Sequence, residues 1–194
     1  MLFGKPLIKY LVRTPITPNM VTFFNLFVIF PMFCLANLKK MYLLVAVLVQ
    51  LYMFFDVVDG NLARNKNMKS ELGRRLDIIA DTIFYTLGVF VMGLSMDLEL
   101  WKVCILIVVQ QVYGCIATYY IVPKIRKLSN FRHTNLKQFF ISHDILFGMD
   151  ASLECLIFTV FLPFSIRKVI FIVCPIMWIV DLIYRLYELE YINK

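Results

Sequence analysis

Four aspartates at helical spacings are the residues of this chain best suited to chemistry: Asp56, Asp59, Asp77 and Asp81. Residues three or four positions apart share a helix face, so the first two form one pair and the last two another. Acids within apolar segments are costly and usually functional. Four carboxylates cannot all stay ionised without compensating charge. Hard divalent cations with oxygen ligands, Mg²⁺ or Mn²⁺, are the natural remedy, and four acids suit two ions that act in phosphoryl transfer.

The residues between the two acidic pairs fit a phosphate ligand. Gly60 and Ala63 have almost no side chain, which lets a ligand approach the backbone. Arg64 can bind phosphate oxygens in a bidentate manner. Gly73 permits either close packing or an unusual turn before the second pair. Each also has an ordinary explanation, since small residues suit helix contacts and arginines suit a cytoplasmic flank. The adjacent acids shift the balance towards function.

The composition predicts that these residues lie in a membrane protein. The chain has 194 residues, of which 61% are hydrophobic, and a mean hydropathy of +0.77. Soluble domains average about 45–50% apolar residues. Length allows one domain over residues 1–194. The net charge of +7 is then a matter of topology and anionic lipid, and no nucleic-acid partner is expected.

The elements that must position the acids are predicted to be helices, because helices and closed barrels are the structures that satisfy the backbone in lipid. We expect an all-α integral membrane protein, with an N-terminal interfacial amphipathic helix in residues 1–15 and a six-helix bundle in residues 16–194. Six apolar segments are each long enough to cross a hydrocarbon core of ~30 Å. They are Met20–Leu38, Met41–Val58, Leu76–Met96, Leu100–Val122, Ile145–Phe164 and Val169–Tyr187.

The basic residues predict how this bundle is oriented. Most of the 20 Lys and Arg fall on the two termini and on the second and fourth loops. The positive-inside rule then places both termini and the aspartates at the cytoplasmic side. The loop between the second and third segments is short, so we expect these helices to be antiparallel neighbours and all four carboxylates to converge.

The stretch from Asp56 to Asp81 resembles the signature of the CDP-alcohol phosphotransferase, or phosphatidyltransferase, family. It matches D-x2-D-G-x2-A-R-x8-G-x3-D-x3-D at every fixed position. A second segment, Pro18-Asn19-Met-Val-Thr22, is similar to one that many members carry before the first span. The resemblance implies a CDP-linked alcohol as donor, most often CDP-diacylglycerol. A second alcohol attacks its phosphorus, and CMP leaves.

The resemblance also implies roles for the matching positions. The four aspartates, Asp56, Asp59, Asp77 and Asp81, are expected to hold two metal ions, Mg²⁺ or Mn²⁺, and Asp81 is expected to act as general base. The CDP-binding wall is expected to consist of Gly60, Ala63, Arg64 and Gly73. A homodimer that works on membrane lipids is a further implication.

Residues that could bind the acceptor alcohol lie later in the chain. Asp150 and Glu154 are four apart at the cytoplasmic start of the fifth segment. They could hydrogen-bond a polyol or attract an amine, or else pair structurally with a basic residue. Arg126 and Arg132 could hold a phosphorylated acceptor, or form an ordinary basic flank near anionic lipid.

Two further features bear on the last helix and on the acceptor. Asp181 and Arg185 are four apart and are expected to pair with each other. Ile78 follows Asp77 at a position where family members that use glycerophosphate often carry proline, which counts against that acceptor.

Three other functions compete with transfer from CDP-diacylglycerol. A CDP-linked head group, such as choline, ethanolamine or a polyol, could be donated to a lipid or glycan. An intramembrane polyprenyl transferase also uses two aspartate-rich motifs with Mg²⁺, but it needs about nine spans and usually Asn where Phe55 stands. A cation transporter could use acids within spans, yet it leaves Gly60, Ala63 and Arg64 unexplained.

Overall fold

The computed structural model of the chain describes residues 9–127, 134, 138 and 148–192, and within this part it is helical without strands. We number six helices in chain order. They are α1 (Pro18–Leu38), α2 (Tyr42–Asn65), α3 (Glu71–Ser95), α4 (Leu100–Lys127), α5 (Ala151–Phe161) and α6 (Arg167–Glu190). Several of them contain a π-helical turn, such as Asn25–Ile29 in α1.

The prediction of a multi-pass helical membrane protein is confirmed. Five helices, α1 to α4 and α6, are 21 to 28 residues long and apolar enough to cross a bilayer. The six-span count is met only in part, because α5 is a shorter apolar helix of 11 residues. The predicted start of that span, Ile145, lies outside the described residues.

Side-chain caps explain where several helices begin. Thr17 accepts a hydrogen bond from the backbone N–H of Met20 before α1, and Pro18 occupies the first helical position. Ser70 caps α3 and Asp150 caps α5 in the same way. Ser70 ends the five-residue connection after α2, so the acid-bearing helices follow each other closely along the chain.

The bundle has both aromatic and aliphatic side chains in its core, and many apolar side chains are exposed on its outer surface. Helix α1 packs against both α2 and α3, α2 against α5, and α4 against α6. Tyr52 of α2 stacks on Phe84 of α3 with ring centroids 3.7 Å apart. This stack lies about one turn from the nearest acid on each helix, Asp56 on α2 and Asp81 on α3. On the outer face of α2, Leu43, Val47 and Leu51 are exposed at intervals of four residues.

The amphipathic N-terminal helix is described only in part. Residues 9–11 are helical, and residues 1–8 lie outside the described range. Leu11 and Val12 pack against an apolar cluster formed by Val21, Val58 and Leu62. Part of the predicted lipid-facing side of this segment therefore contacts the bundle, close to the acid-bearing end of α2.

Candidate functional site

Three of the four aspartates meet between α2 and α3. Asp56, Asp59 and Asp77 each offer a carboxylate oxygen, and the three oxygens lie within 4.8 Å of one another. Asp59 is buried, while the other two are half-buried. The prediction that acids from the two helices converge is confirmed for these three.

The fourth aspartate, Asp81, lies one helical turn beyond Asp77 on α3, a rise of about 6 Å along the helix. It is not one of the three acids with mutually close oxygens, and it lines a different cavity. The convergence of all four carboxylates therefore stays a prediction for Asp81. One turn of α3 separates Asp81 from Asp77, the acid on the same face of that helix.

The protein supplies little positive charge to the three clustered acids. Among the described residues, no Lys or Arg forms an ion pair with any of them. Arg74 and Arg75, near the start of α3, are bound to Glu71 at 2.6 and 3.1 Å. Closely spaced carboxylates repel each other when ionised. A hard divalent cation with oxygen ligands fits this donor set.

A hydroxyl group from α1 holds one of the three acids. Thr22 Oγ1 donates to Asp59 Oδ2 at 2.7 Å, and both residues are buried. The same hydroxyl lies farther, at 3.3 Å, from the carbonyl oxygen of Pro18, so the carboxylate is its principal acceptor. The contact joins residues 37 positions apart and fixes the orientation of the Asp59 side chain.

A first cavity, of about 470 Å³, opens beside the acid cluster. It is lined by all four residues of the expected CDP-binding wall, namely Gly60, Ala63, Arg64 and Gly73, and by Asp59 and Asp77. Its volume falls within the range of about 300–1,000 Å³ that small-molecule sites occupy. The Arg64 side chain makes no ion pair with a described residue, so its guanidinium is available to a ligand.

Close packing, not a turn, explains Gly73. The residue lies in the first turn of α3, where its N–H donates to the capping Ser70 Oγ at 3.0 Å. A Cβ at this position would lie 3.1 Å from Asn19 Oδ1 and 3.1 Å from Ser70 Oγ. Glycine thus lets α1 approach α3 at the wall of the first cavity.

Asn19 and Thr22 are the functional candidates that the sequence did not assign. Both line the first cavity from α1, opposite the acid-bearing helices. The available signal was the Pro18–Thr22 segment, which resembled a family motif but suggested no role. Asn19 and Thr22 are polar residues at the start of an apolar helix, and they lie where α1 faces the acids.

A second cavity, of about 380 Å³, borders α3 about one turn farther along the helix, at Asp81, Thr82 and Tyr85. Its wall includes Asp81 of α3, Gln110 and Tyr113 of α4, Asp150, and Trp178 and Arg185 of α6. Asp77 lines the first cavity and Asp81 the second. Successive turns of one helix therefore present a carboxylate to each cavity.

The two acids proposed for the acceptor have different surroundings. Asp150 lines the second cavity, and its Oδ1 accepts the N–H of Leu153 at 2.8 Å as the cap of α5. Glu154 is completely buried, and its Oε2 accepts from Gln110 Nε2 at 2.7 Å. Within the described residues Glu154 has no basic partner, so the structural ion pair considered for it is absent from that part of the chain.

The basic candidates for the acceptor gain no support from the described residues. Arg126 is exposed near the end of α4, away from the described walls of both cavities. Arg132 lies outside the described residues. The expected pair of Asp181 and Arg185 is confirmed, with Arg185 Nε 2.7 Å from Asp181 Oδ2. Tyr113 donates its hydroxyl to the same carboxylate oxygen at 2.5 Å.

A glycine allows the chain before α5 to approach this pair. Gly148 has φ of +140°, a conformation that favours glycine. A Cβ there would lie 2.9 Å from Asp181 Oδ1. The segment leading to Asp150 is thus held against α6, at the wall of the second cavity.

Two comparisons with known proteins found a match. The sequence model of the CDP-alcohol phosphatidyltransferase family matches residues 15–183. Among solved structures, the chain is similar to the apo form of the phosphatidylinositol phosphate synthase of Mycobacterium tuberculosis. The TM-score is 0.64, the identity is 18%, and 94% of each chain is covered. Likeness at that identity shows a shared fold only. A comparison with curated protein sequences gave no match.

Proposed function

Because the chain belongs to the CDP-alcohol phosphatidyltransferase family, we propose that it transfers the phosphatidyl group of CDP-diacylglycerol to an acceptor alcohol and releases CMP. The observation that carries this proposal is the acid cluster beside the first cavity. Asp59 and Asp77 of this cluster line a cavity whose wall also includes Arg64 and three residues with minimal side chains, Gly60, Ala63 and Gly73. This arrangement combines carboxylate ligands for a cation with a basic group for a diphosphate.

The acid cluster would hold the divalent cation, Mg²⁺ or Mn²⁺, through oxygen ligands from Asp56, Asp59 and Asp77. Asp81, one turn away on α3, would contribute to a second ion. When bound, such ions neutralise and orient phosphoryl oxygens during transfer between two alcohols. The role of Thr22 is then to hold Asp59 in the orientation that binding requires, through the hydrogen bond at 2.7 Å.

The donor would lie in the first cavity with its diphosphate toward the acids. Arg64 would bind phosphate oxygens in a bidentate manner. Gly60 leaves the cavity open, since among the described residues a Cβ there would meet only Arg64, at 3.7 Å. Packing of Gly73 against Asn19 would hold the opposite part of the wall in place. The acyl chains of the donor would extend from the site into the lipid.

Asp81 would act as general base toward the acceptor. The hydroxyl oxygen of the acceptor forms a new bond to the phosphorus that carries diacylglycerol. The phosphoanhydride bond from that phosphorus breaks, and its electron pair leaves with the bridging oxygen of CMP. The acceptor's proton passes to the Asp81 carboxylate, which lines the second cavity. An acceptor bound there would reach the base without displacing the donor.

The excess of basic residues on one side supports a cytoplasmic site and cytoplasmic termini for this multi-pass protein. The nucleotide part of the donor would then face the cytoplasm, and CMP would be released there. We also propose that the protein is a homodimer, as the family resemblance implies. Light scattering in detergent would measure the molar mass of the protein and so its oligomeric state.

Release of CMP tests the proposed function. The purified protein in lipid is given CDP-diacylglycerol with Mg²⁺ or Mn²⁺ and a panel of acceptor alcohols, and CMP is measured. We expect metal-dependent CMP release that requires an acceptor. Release only from a CDP-linked head group, with diacylglycerol as acceptor, would contradict the assignment of the donor. Cation flux without CMP release would overturn transferase activity itself.

A further inference from the structure

A lysine at the end of α2 binds the backbone of the segment that precedes α1. Lys66 directly follows α2, and its N–H donates to Leu62 O at 2.9 Å. Its Nζ donates to the carbonyl oxygens of Thr14 and Ile16, each at 2.7 Å. Residues 12–17 are not helical, so a regular helix does not satisfy these two carbonyl groups. The ammonium group therefore fastens the segment before α1 to the end of α2.

Apolar packing also holds this segment, but it does not fix a position along α2. Contacts between aliphatic side chains are non-directional. A slip of α1 by one residue would keep much of this packing, yet it would turn each α1 side chain by about 100° around the helix axis. Polar contacts are therefore needed to set the register of α1 on α2. The side chains of the segment that pack on the apolar cluster of α1 and α2 are Leu11, Val12 and Ile16.

Three polar contacts between this part of the chain and α2 follow a single register. Asn25 Nδ2 donates to Tyr52 O at 3.0 Å. Thr22 Oγ1 donates to Asp59 Oδ2 at 2.7 Å. Lys66 makes the third contact, with the segment before α1. Residue numbers rise along α2 as those of the partners fall, so the contacts lie in order along an antiparallel pair, with Thr22 and Asp59 in the middle.

The place of Lys66 in this series links it to the acid cluster. Lys66 and Asp59 are seven residues apart, about two turns, and thus lie on the same side of the chain at the end of α2. The first turn of α1, with Asn19 of the cavity wall, lies between Ile16 and Thr22. Lys66 itself is not part of the described wall of either cavity. Its effect on the site must pass through the segment that it holds.

We propose that Lys66 is a positioning residue for the acid cluster. By holding the segment before α1, it sets the register of that helix and so brings the Thr22 hydroxyl to Asp59. This role rests on the proposed function, in which the acid cluster binds a divalent cation. A partner that orients a metal ligand raises the affinity for the ion. Loss of the ammonium group should therefore weaken metal binding and leave the KM for the acceptor unchanged.

Direct measurement of Mn²⁺ binding tests this role without turnover. The purified protein in detergent is titrated with Mn²⁺ in the absence of CDP-diacylglycerol, and free Mn²⁺ is followed by electron paramagnetic resonance. Lys66→Met keeps the aliphatic stem and removes the ammonium donor. We expect the Mn²⁺ dissociation constant to rise about 10-fold, the lower end of the range that loss of an orienting partner costs. Lys66→Arg keeps a cationic donor and should recover most of the affinity.

Combination with Thr22→Val shows whether Lys66 acts through that hydroxyl. If it does, adding Lys66→Met to Thr22→Val changes the dissociation constant by less than about 2-fold, whereas independent effects would multiply. Multiplication of the two single effects would therefore contradict the proposed route. Lys102→Met is the matched control, since Lys102 pairs with Glu99 at 3.1 Å and lines neither described cavity wall. It should bind Mn²⁺ as the unmodified protein does.

The result for Lys66 can be separated from the result for the proposed function. An unchanged Mn²⁺ dissociation constant in Lys66→Met overturns the positioning role, even if the variant unfolds at a lower temperature. The proposed transfer then stands as long as the unmodified protein releases CMP. Lys66→Gln, with a shorter side chain, takes the place of Lys66→Met if that variant does not fold, and the same outcomes decide. Absence of both Mn²⁺ binding and CMP release in the unmodified protein overturns both proposals.

Discussion

Removal of the Thr22 hydroxyl tests how the acid cluster is organised. Thr22 is buried, and its hydroxyl donates to Asp59 Oδ2 at 2.7 Å. Valine has nearly the same shape, so Thr22→Val removes this hydrogen bond and leaves the packing of α1 on α2 almost unchanged. The variant would leave one oxygen of a buried carboxylate without its donor.

The size of the effect follows from the kind of hydrogen bond that is lost. A hydrogen bond to a charged group contributes about 1.5–3 kcal/mol, and each ~1.4 kcal/mol is a tenfold change in an equilibrium constant. Loss of a partner that orients a metal ligand typically costs 10–100-fold in metal affinity or activity. We therefore expect about 10- to 100-fold more Mg²⁺ or Mn²⁺ to be needed for half-maximal CMP release.

The assay is a metal titration of CMP release at saturating donor and acceptor. Thr22→Ser, which keeps the hydroxyl, is the matched control and should require about the same metal concentration as the unmodified protein. An unchanged metal requirement and turnover in Thr22→Val would refute the reasoning that this contact prepares Asp59 for a cation.

Three other substitutions address the base and the donor cavity. Asp81→Asn is expected to lower kcat about 10²–10⁴-fold, the usual contribution of a general base, and near-normal turnover would exclude that role. Arg64→Lys should weaken CDP binding in calorimetry about 10-fold because a bidentate contact is lost. Arg75→Lys is the control, since Arg75 is exposed and bound to Glu71. Equal losses of CDP affinity in the two variants would count against a specific contact between Arg64 and the diphosphate. Gly73→Ala should raise the KM for the donor, because its Cβ would lie 3.1 Å from two side-chain oxygens, an overpacking that costs about 1–3 kcal/mol. An unchanged KM would mean that this wall does not touch the donor.

Features that depend on neighbours along one helix were predictable from the sequence. The apolar segments gave the long helices, since hydropathy and the thickness of a bilayer constrain them directly. The contact between Asp181 and Arg185 follows from their spacing of four and is present at 2.7 Å. The short connection before Ser70 made it possible to predict that acids of α2 and α3 would meet.

Features that depend on how helices pack could not be read in this way. Thr22 lies 37 positions from Asp59, and only the docking of α1 brings the two together. Spacing placed Asp77 and Asp81 on one face, yet one turn of rise is enough to direct them to different cavities. Asp150 and Glu154 looked equivalent in the sequence. One caps a helix and the other is buried against Gln110, a residue of α4.

The proposed transfer is tested most directly by following the phosphorus that carries diacylglycerol. CDP-diacylglycerol labelled at that phosphorus is incubated with the purified protein, an acceptor and Mg²⁺ or Mn²⁺, and the products are separated. The proposal predicts that the label passes entirely into a new phospholipid and that the nucleotide product is unlabelled CMP. It also predicts that Asp59→Asn abolishes this transfer. Label recovered in CDP, or undiminished transfer by the Asp59 variant, would contradict it.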